Sequence, residues 1–173
     1  MIVRVITYAA FAVLLSGASA YAQNRGGFTA LVDLGVGVQR DTAIDETAVG
    51  LAGLGFGVGA FVNEDLAVMF RLTGTNVSYD LAGGDYGQSS GVGGAAAQFW
   101  LSDRLNVEAG AGFGFWRGDN DERNRGLGLI LGTGLSLWNR GKHNVQFGVQ
   151  YLPAFTDPGM VHNFGFTVGY QFQ

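Results

Sequence analysis

The chain has 173 residues, enough for one domain, and it combines 30 glycines and 13 phenylalanines with only two prolines. Because glycine costs a helix about 1 kcal/mol per residue, this composition favours strands over helices. The chain contains no cysteine, which excludes disulfides, thiolate metal sites and a lipid-attachment cysteine. The net charge of −4 is weak and of the wrong sign for nucleic-acid binding.

The N-terminus has the pattern of a secretory signal peptide. One arginine supplies a positive charge, and an apolar run of about eleven residues covers 5–15. Ala20 and Ala22 have the spacing of an A-x-A cleavage site, and cleavage after Ala20 is the alternative to cleavage after Ala22. A membrane anchor is less suitable, because a span needs roughly 20 apolar residues. We therefore predict a signal peptide over 1–22 and a mature domain over 23–173.

Beyond the signal peptide, apolar residues alternate with small or polar residues. In the first segment, Val32 and Leu34 share one parity, whereas Thr29, Asp33 and Gln39 share the other. Successive side chains of a strand point to opposite faces, so this period of two predicts strands. In chain order, the eight segments cover 27–39, 48–62, 66–75, 94–101, 105–115, 127–137, 145–151 and 163–173.

The last segment shows the alternation most clearly. From Asn163 to Gln173 it reads N-F-G-F-T-V-G-Y-Q-F-Q, with large apolar residues on one parity and small or polar residues on the other. One face is too aromatic to be solvated, and the opposite face is too small and polar for an ordinary core. A membrane-spanning barrel needs this distribution, because lipid surrounds it and its interior is polar.

The links between the segments predict the topology of the barrel. Short turns alternate with loops of roughly ten residues, as in bacterial membrane barrels, and an even strand count places both termini at the periplasmic end. Eight strands enclose an interior just wide enough to be filled by side chains. The predicted loops are 40–47, 79–89, 117–125 and 153–161, and the turns are 63–65, 102–104 and 139–144.

A secreted soluble barrel with an apolar interior and a wet exterior is the structural alternative. Such a barrel needs charged residues along its outer face. The eight segments contain three clearly internal charges, Asp33, Arg71 and Glu108, and all three lie on the glycine-rich parity. This distribution favours lipid outside and an all-β, antiparallel, up-and-down transmembrane barrel.

The three internal charges are the candidate functional group of the lumen. Asp33 and Glu108 each lie two strands from Arg71, on opposite sides, so a long guanidinium can reach both across a narrow interior. A buried charge without a partner is costly, and the planar fork of arginine suits carboxylates. We predict a cluster that occludes the lumen, with Gln98 and Gln150 as polar neighbours. Separately hydrated charges in an internal water column are the alternative.

The chain resembles the small eight-stranded outer-membrane barrels of the OmpA/OmpX type. The resemblance covers the mature chain and rests on the signal peptide, the eight alternating segments and the closing F-G-F-T-V-G-Y-Q-F strand. It implies a monomeric barrel in the outer membrane of a Gram-negative envelope after removal of the signal peptide. It also implies contact with outer-membrane lipids and lipopolysaccharide. In this family the barrel-assembly machinery reads the closing strand, here residues 163–173, although Gln173 follows the usual terminal aromatic residue.

Aromatic residues near the strand ends are expected to form the interfacial girdles of such a barrel. The candidates are Phe61, Phe99, Tyr151, Phe164, Tyr170 and Phe172.

The resemblance is specific for fold and location but weak for function, since the family includes structural anchors, adhesins, small-molecule pores and a few lipid-modifying enzymes. Outer-membrane lipid A deacylases have a histidine and a serine two residues apart. The residue two positions after His162 is Phe164, so this catalytic pattern is absent. His162 with Asp157 or Ser89 is the remaining catalytic combination at the outer rim.

We predict no catalytic, cofactor or metal site and a non-enzymatic envelope protein with a structural or surface-interaction role. A diffusive porin is disfavoured because aqueous channels generally need about sixteen strands. A narrow channel for small or lipophilic solutes is the alternative function, and a lipid-modifying enzyme is the next.

Overall fold

The computed structural model describes residues 25–81, 84–118, 123–157 and 159–173; the predicted signal peptide lies outside the described residues. Eight antiparallel strands form a closed barrel in which β8 pairs with β1. No helix within these ranges is long and apolar enough to cross a membrane. The strands are β1 Gly27–Asp41, β2 Glu46–Asn63, β3 Leu66–Leu81, β4 Gly84–Trp100, β5 Leu105–Gly118, β6 Arg123–Arg140, β7 His143–Phe155 and β8 Met160–Phe172.

The outer surface of the barrel is apolar, and the inner surface carries the small and polar residues. In β1, Val32 and Leu34 are exposed, whereas Thr29 and Gln39 are fully buried. In β8, Phe166 is exposed and Thr167 is buried. The apolar parity therefore faces outward, as the sequence predicts. The predicted eight-stranded antiparallel barrel is confirmed.

The two ends of the barrel differ in how the strands are joined. We call the end at which β2 joins β3, β4 joins β5 and β6 joins β7 the turn end. The opposite end, at which β1 joins β2, β3 joins β4, β5 joins β6 and β7 joins β8, is the loop end. Both the first and the last strand have their free ends at the turn end, as an even strand count requires.

The predicted ten-residue loops are wrong, because the strands continue into them. β3 extends to Leu81 and pairs throughout with β4. In this extension the outward Asn76 and Ser78 are exposed, whereas the inward Val77 and Tyr79 are buried. The polarity of the two faces is thus reversed relative to the middle of the strand. A hairpin satisfies its own backbone hydrogen bonds, so its strands can extend past the apolar band into water.

A β-bulge in β2 changes the register in the middle of the barrel. Asp33 pairs with Gly55 and Gly35 pairs with Ala52, which leaves two residues of β2 opposite one of β1. Gly53 at the bulge has a φ of 61°, a left-handed conformation that glycine adopts without a Cβ penalty. The extra residue reverses the parity of β2. Even-numbered residues such as Ala52 point inward on the loop-end side of the bulge, and odd-numbered residues such as Gly55 point inward on the turn-end side.

Most of the predicted girdle residues lie on the outer surface. Phe99 and Tyr170 are exposed near the turn end, where Phe172 is half-buried. Phe164 stacks on Tyr151, with 4.4 Å between the ring centroids. At ~3.3 Å per residue and a ~40° strand tilt, Phe164 and Phe172 are about 20 Å apart along the barrel axis. This separation is close to the height of the apolar band of such barrels, which is about 25 Å.

The prediction for Phe61 is wrong, because Phe61 lies inside the barrel. It shares the inward parity of Gly55 and is 8% exposed, in one apolar cluster with Met69 and Trp100. Trp138, which is not among the predicted girdle residues, is exposed near the turn end. A register shift between β6 and β7 lies beside Trp138.

Candidate functional site in the barrel lumen

Arg71 lies in the lumen between two carboxylates from opposite sides. Its Nη1 is 2.9 Å from Asp33 Oδ2, and its Nε–H donates a hydrogen bond of 2.8 Å to Glu108 Oε1. The three side chains are buried, at 3%, 5% and 10% exposure. The guanidinium thus links β1, β3 and β5 across the interior, and the structure brings together the three charges that the sequence singled out.

Glycines on the neighbouring strands leave room for this arrangement. Arg71 is flanked in register by Gly57 of β2 and Gly94 of β4. A Cβ on Gly57 would lie 2.7 Å from Arg71 Cδ, and one on Gly55 would lie 2.5 Å from Asp33 Oδ1. The inward glycines therefore make space for charged side chains in a barrel of small diameter.

A small polar cavity adjoins the cluster. Its volume is about 30 Å³, and Asp33, Arg71, Glu108 and Gln150 are among the residues that line it. The Gln150 side chain accepts a hydrogen bond of 3.2 Å from the Thr73 hydroxyl. A cavity of this size has room for about one or two water molecules and for no organic solute.

A chain of amide side chains crosses the lumen between the cluster and the turn end. Gln171 Nε2 donates to Gln98 Oε1 at 2.7 Å and to Thr29 Oγ1 at 3.1 Å. Gln98 in turn donates to Asn106, and Asn106 donates to Gln146. Gln98 is the register partner of Glu108, but its amide forms hydrogen bonds within this chain and not with the charged side chains of the cluster. The alternating pattern predicts the inward position of each member of this chain but not the hydrogen bonds between them.

Another set of hydrogen bonds fills the lumen on the loop-end side. Gln39 donates to the Tyr79 hydroxyl at 3.1 Å, and the Ser90 hydroxyl donates to Gln39 Oε1 at 2.7 Å. Gln88 donates to Asp41 Oδ2 at 2.8 Å. Three buried apolar side chains belong to the apolar cluster that lines the lumen: Val92, Ile130 and Leu152.

Arg25, which precedes β1, closes the turn end of the barrel. Its guanidinium lies 4.1 Å from the centre of the Trp100 ring and donates to the backbone carbonyls of Glu64 and Asp103. Burial lowers the pKa of Arg25, and the carboxylates of Asp103, Asp65 and Glu64 act in the opposite direction. No sequence pattern marked this residue, because it lies outside the alternating segments.

The catalytic combination of a rim histidine and a serine is not assembled. His162 is on the outer face of β8, where its Nδ1 lies 2.7 Å from the Tyr151 hydroxyl. Ser89 belongs to β4, four strands from β8 in either direction around the barrel. His143 contacts Tyr170 at the turn end. Among the described residues, no group of three or more acidic or histidine side chains could hold a metal ion.

A closed eight-stranded barrel with an apolar outside and a side-chain-filled polar lumen has the architecture of the small membrane barrels. The fold is that of the small eight-stranded outer-membrane barrels, as the comparison with solved structures shows. The crystal structure of Neisserial surface protein A has a TM-score of 0.63 and 18% identity, covering 84% of this chain and 96% of that chain.

Two further outer-membrane barrels have the same fold. The attachment invasion locus protein Ail of Yersinia pestis, crystallised with the heparin analogue sucrose octasulfate, has a TM-score of 0.58 and 15% identity, covering 84% of this chain and 99% of that chain. OprG from Pseudomonas aeruginosa has a TM-score of 0.51 and 10% identity, covering 89% and 100%. The sequence matches no protein-family model and no curated protein.

Proposed function

We propose that this chain is an integral outer-membrane barrel without enzymatic activity, which serves the envelope as a structural or surface-interaction protein. The fold shared with outer-membrane barrels supports the location. The apolar outer surface supports insertion into lipid, because exposed side chains such as Val32, Phe70 and Phe166 would be costly in water.

The observation that carries the proposal is the closure of the lumen. Arg71 bridges two opposite carboxylates in the middle, and Arg25 occupies the turn end. The polar cavity that adjoins the Arg71 cluster has a volume of about 30 Å³. A side-chain-filled interior leaves the outer surface and the loop end as the parts of the molecule that can meet partners.

Conductance in planar lipid bilayers tests the proposal against the channel alternative. Refolded protein is first shown to be native by its heat-modifiable migration in detergent gels, and is then inserted at increasing concentration. We expect no discrete openings, because the Arg71 cluster and the hydrogen-bonded amide side chains occupy the lumen. Reproducible unitary openings of the wild-type barrel would contradict the proposal and favour a narrow channel.

Extraction and surface tagging test the proposed location and orientation. We expect detergent, and not a salt wash, to release the protein from membranes. Tags in the β5–β6 or β7–β8 connection should be accessible on intact cells, whereas tags in the β2–β3 or β6–β7 turn should not. Release of the protein by salt alone would contradict a spanning barrel.

A further inference from the structure

The charged cluster in the lumen has an excess of negative charge. Asp33 and Glu108 are two carboxylates, and Arg71 is the one guanidinium that lies between them. All three side chains are buried, so the excess charge is shielded from bulk solvent. A buried charge is costly unless it is paired or binds a metal ion, and one guanidinium balances only one of the two carboxylates. A further positive charge would therefore stabilise the cluster.

Two buried polar atoms beside the cluster have no hydrogen-bond partner. Arg71 contacts Asp33 Oδ2, whereas Asp33 Oδ1 accepts no hydrogen bond. The side-chain nitrogen of Gln150, a residue that is 8% exposed, donates none. A Cβ on Gly53 would lie 3.3 Å from Asp33 Oδ1 and 2.7 Å from Gln150 Nε2, so both atoms border the same space beside the β2 bulge. Unpaired buried polar atoms of this kind indicate an interaction with a water molecule or an ion.

The polar cavity next to the cluster supplies further oxygen atoms. Besides the two carboxylates, its lining includes amide or hydroxyl side chains from three strands: Asn106, Gln146, Gln150 and Thr167. An amide oxygen has two lone pairs, so one that already accepts a hydrogen bond can still bind a cation. The volume of about 30 Å³ leaves room for one small ion and one water molecule. Because these side chains come from β1, β5, β7 and β8, their spacing along the sequence does not indicate the site.

We propose that this cavity, which we call the lumen cation site, binds one small monovalent cation such as sodium. Asp33 Oδ1 is the charged ligand, Glu108 adds to the negative potential, and amide and hydroxyl oxygens complete the coordination that hard cations prefer. Gln150 Nε2 donates to a water molecule bound to the ion. A monovalent ion cancels the excess charge, whereas a divalent ion would leave an excess of the opposite sign. The site is independent of the proposed envelope role, because it needs only the folded barrel.

A proton on one of the two carboxyl groups is the alternative counter-charge. It would neutralise the cluster, but it would account neither for the cavity nor for the unpaired nitrogen of Gln150. A cation with a bound water molecule accounts for the excess charge and for both unpaired atoms together. The geometry therefore favours the cation, and the response of the protein to sodium separates the two.

The sodium dependence of unfolding measures this binding. The barrel is refolded in phosphatidylcholine vesicles and unfolded with urea in mixtures of sodium chloride and N-methyl-D-glucamine chloride at constant total concentration. The glucamine ion is too large for the cavity, so the mixtures change sodium without changing ionic strength. We expect the unfolding equilibrium constant to fall about tenfold for each tenfold rise in sodium above the dissociation constant, as one bound ion requires. An unfolding constant that is the same in every mixture would overturn the proposal and favour a proton.

Matched variants locate the sodium response in the lumen. Asp33→Asn and Glu108→Gln each leave one carboxylate opposite Arg71, so the cluster is neutral and should no longer respond to sodium. Asp45→Asn removes the same charge from a turn residue whose side chain is 83% exposed, and it should keep the full response. Heat-modifiable migration shows that each variant is folded. A response that persists in both lumen variants, or that Asp45→Asn also removes, would overturn the proposal.

The valency of the ion is tested with calcium. Calcium chloride should stabilise the wild-type barrel less than sodium chloride of the same ionic strength, because a divalent ion overcompensates the charge of the cluster. Stronger stabilisation by calcium would show a divalent-cation site and would overturn the assignment. The conductance and extraction experiments do not depend on this ion, so failure of the lumen cation site is distinguishable from failure of the membrane barrel.

Discussion

Two buried arginines of this barrel are stabilised in different ways. Arg71, in the middle of the lumen, lies between two buried carboxylates at 2.8 and 2.9 Å. Arg25, at the turn end, lies over the Trp100 ring and donates to two backbone carbonyls, whereas the carboxylate of Asp103 is 3.8 Å away and 42% exposed. Both arginine side chains are 3% exposed.

The difference follows from the distance of each arginine to water. Arg71 is enclosed by the barrel wall, so only opposite charges from other strands can offset its desolvation. Arg25 lies at the rim, where backbone dipoles, an aromatic face and nearby solvent share this task. We therefore expect the lumen cluster to couple distant strands strongly, and the turn-end contact to contribute less.

The largest effect is expected from Arg71→Ala. This change leaves Asp33 and Glu108 buried without their guanidinium partner, and breaking a buried pair typically costs about 3–5 kcal/mol of unfolding free energy. Urea unfolding of the refolded barrel in lipid vesicles measures it.

The control for this prediction neutralises the whole cluster. Arg71→Met/Asp33→Asn/Glu108→Gln should lose much less stability than Arg71→Ala, since no charge is left without a partner. If the triple variant is as unstable as the single one, loss of packing and not of charge explains the result.

An arginine on the lipid-facing surface gives the next effect. Leu131 is exposed on the outer face of β6, and Arg at the bilayer midplane costs about 2–4 kcal/mol. Leu131→Arg therefore places a cation on the lipid-facing surface, where its register partners are Ala109 and Tyr151 and neither is a carboxylate. The control is Ser78→Arg, at an outward position beyond the apolar band. Equal unfolding free energies of the two variants would contradict the assigned position of the membrane.

The arrangement in the middle of the barrel could be predicted from the sequence because it follows a regular period. Asp33, Arg71 and Glu108 stand out as charges on a glycine-rich parity, and the strand order then places them on opposite sides of the lumen. The extensions at the loop end could not be predicted in the same way. There the outward Asn76 and Ser78 are polar, so the pattern that indicated a strand reverses.

Arg25 escaped prediction because its interactions depend on tertiary structure. It precedes β1, and its partners come from the β2–β3 and β4–β5 turns and from the end of β4. The bulge at Gly53 was missed for a related reason, since one extra residue is visible only when the facing strand is known. The error at Phe61 was different, because its parity already indicated an inward position.

A smaller effect is expected from Arg25→Ala, about 1–2 kcal/mol for the loss of one cation–π contact and of charge-assisted hydrogen bonds at the rim. The exposed Arg40, which pairs with Asp45 at 3.0 Å, is the matched control, and its replacement by Ala should change stability by less than about 1 kcal/mol. An Arg25→Ala effect as large as that of Arg71→Ala would remove the contrast between the two sites.

Double-mutant cycles test most directly whether Arg71 couples β1, β3 and β5 across the lumen. Arg71→Met is combined with Asp33→Asn and, separately, with Glu108→Gln, and the unfolding free energies are measured in the same vesicles. We expect coupling energies of about 1–3 kcal/mol for both pairs, because the residues share one buried network. Coupling near zero for both pairs would contradict a cluster that holds β1, β3 and β5 together across the lumen.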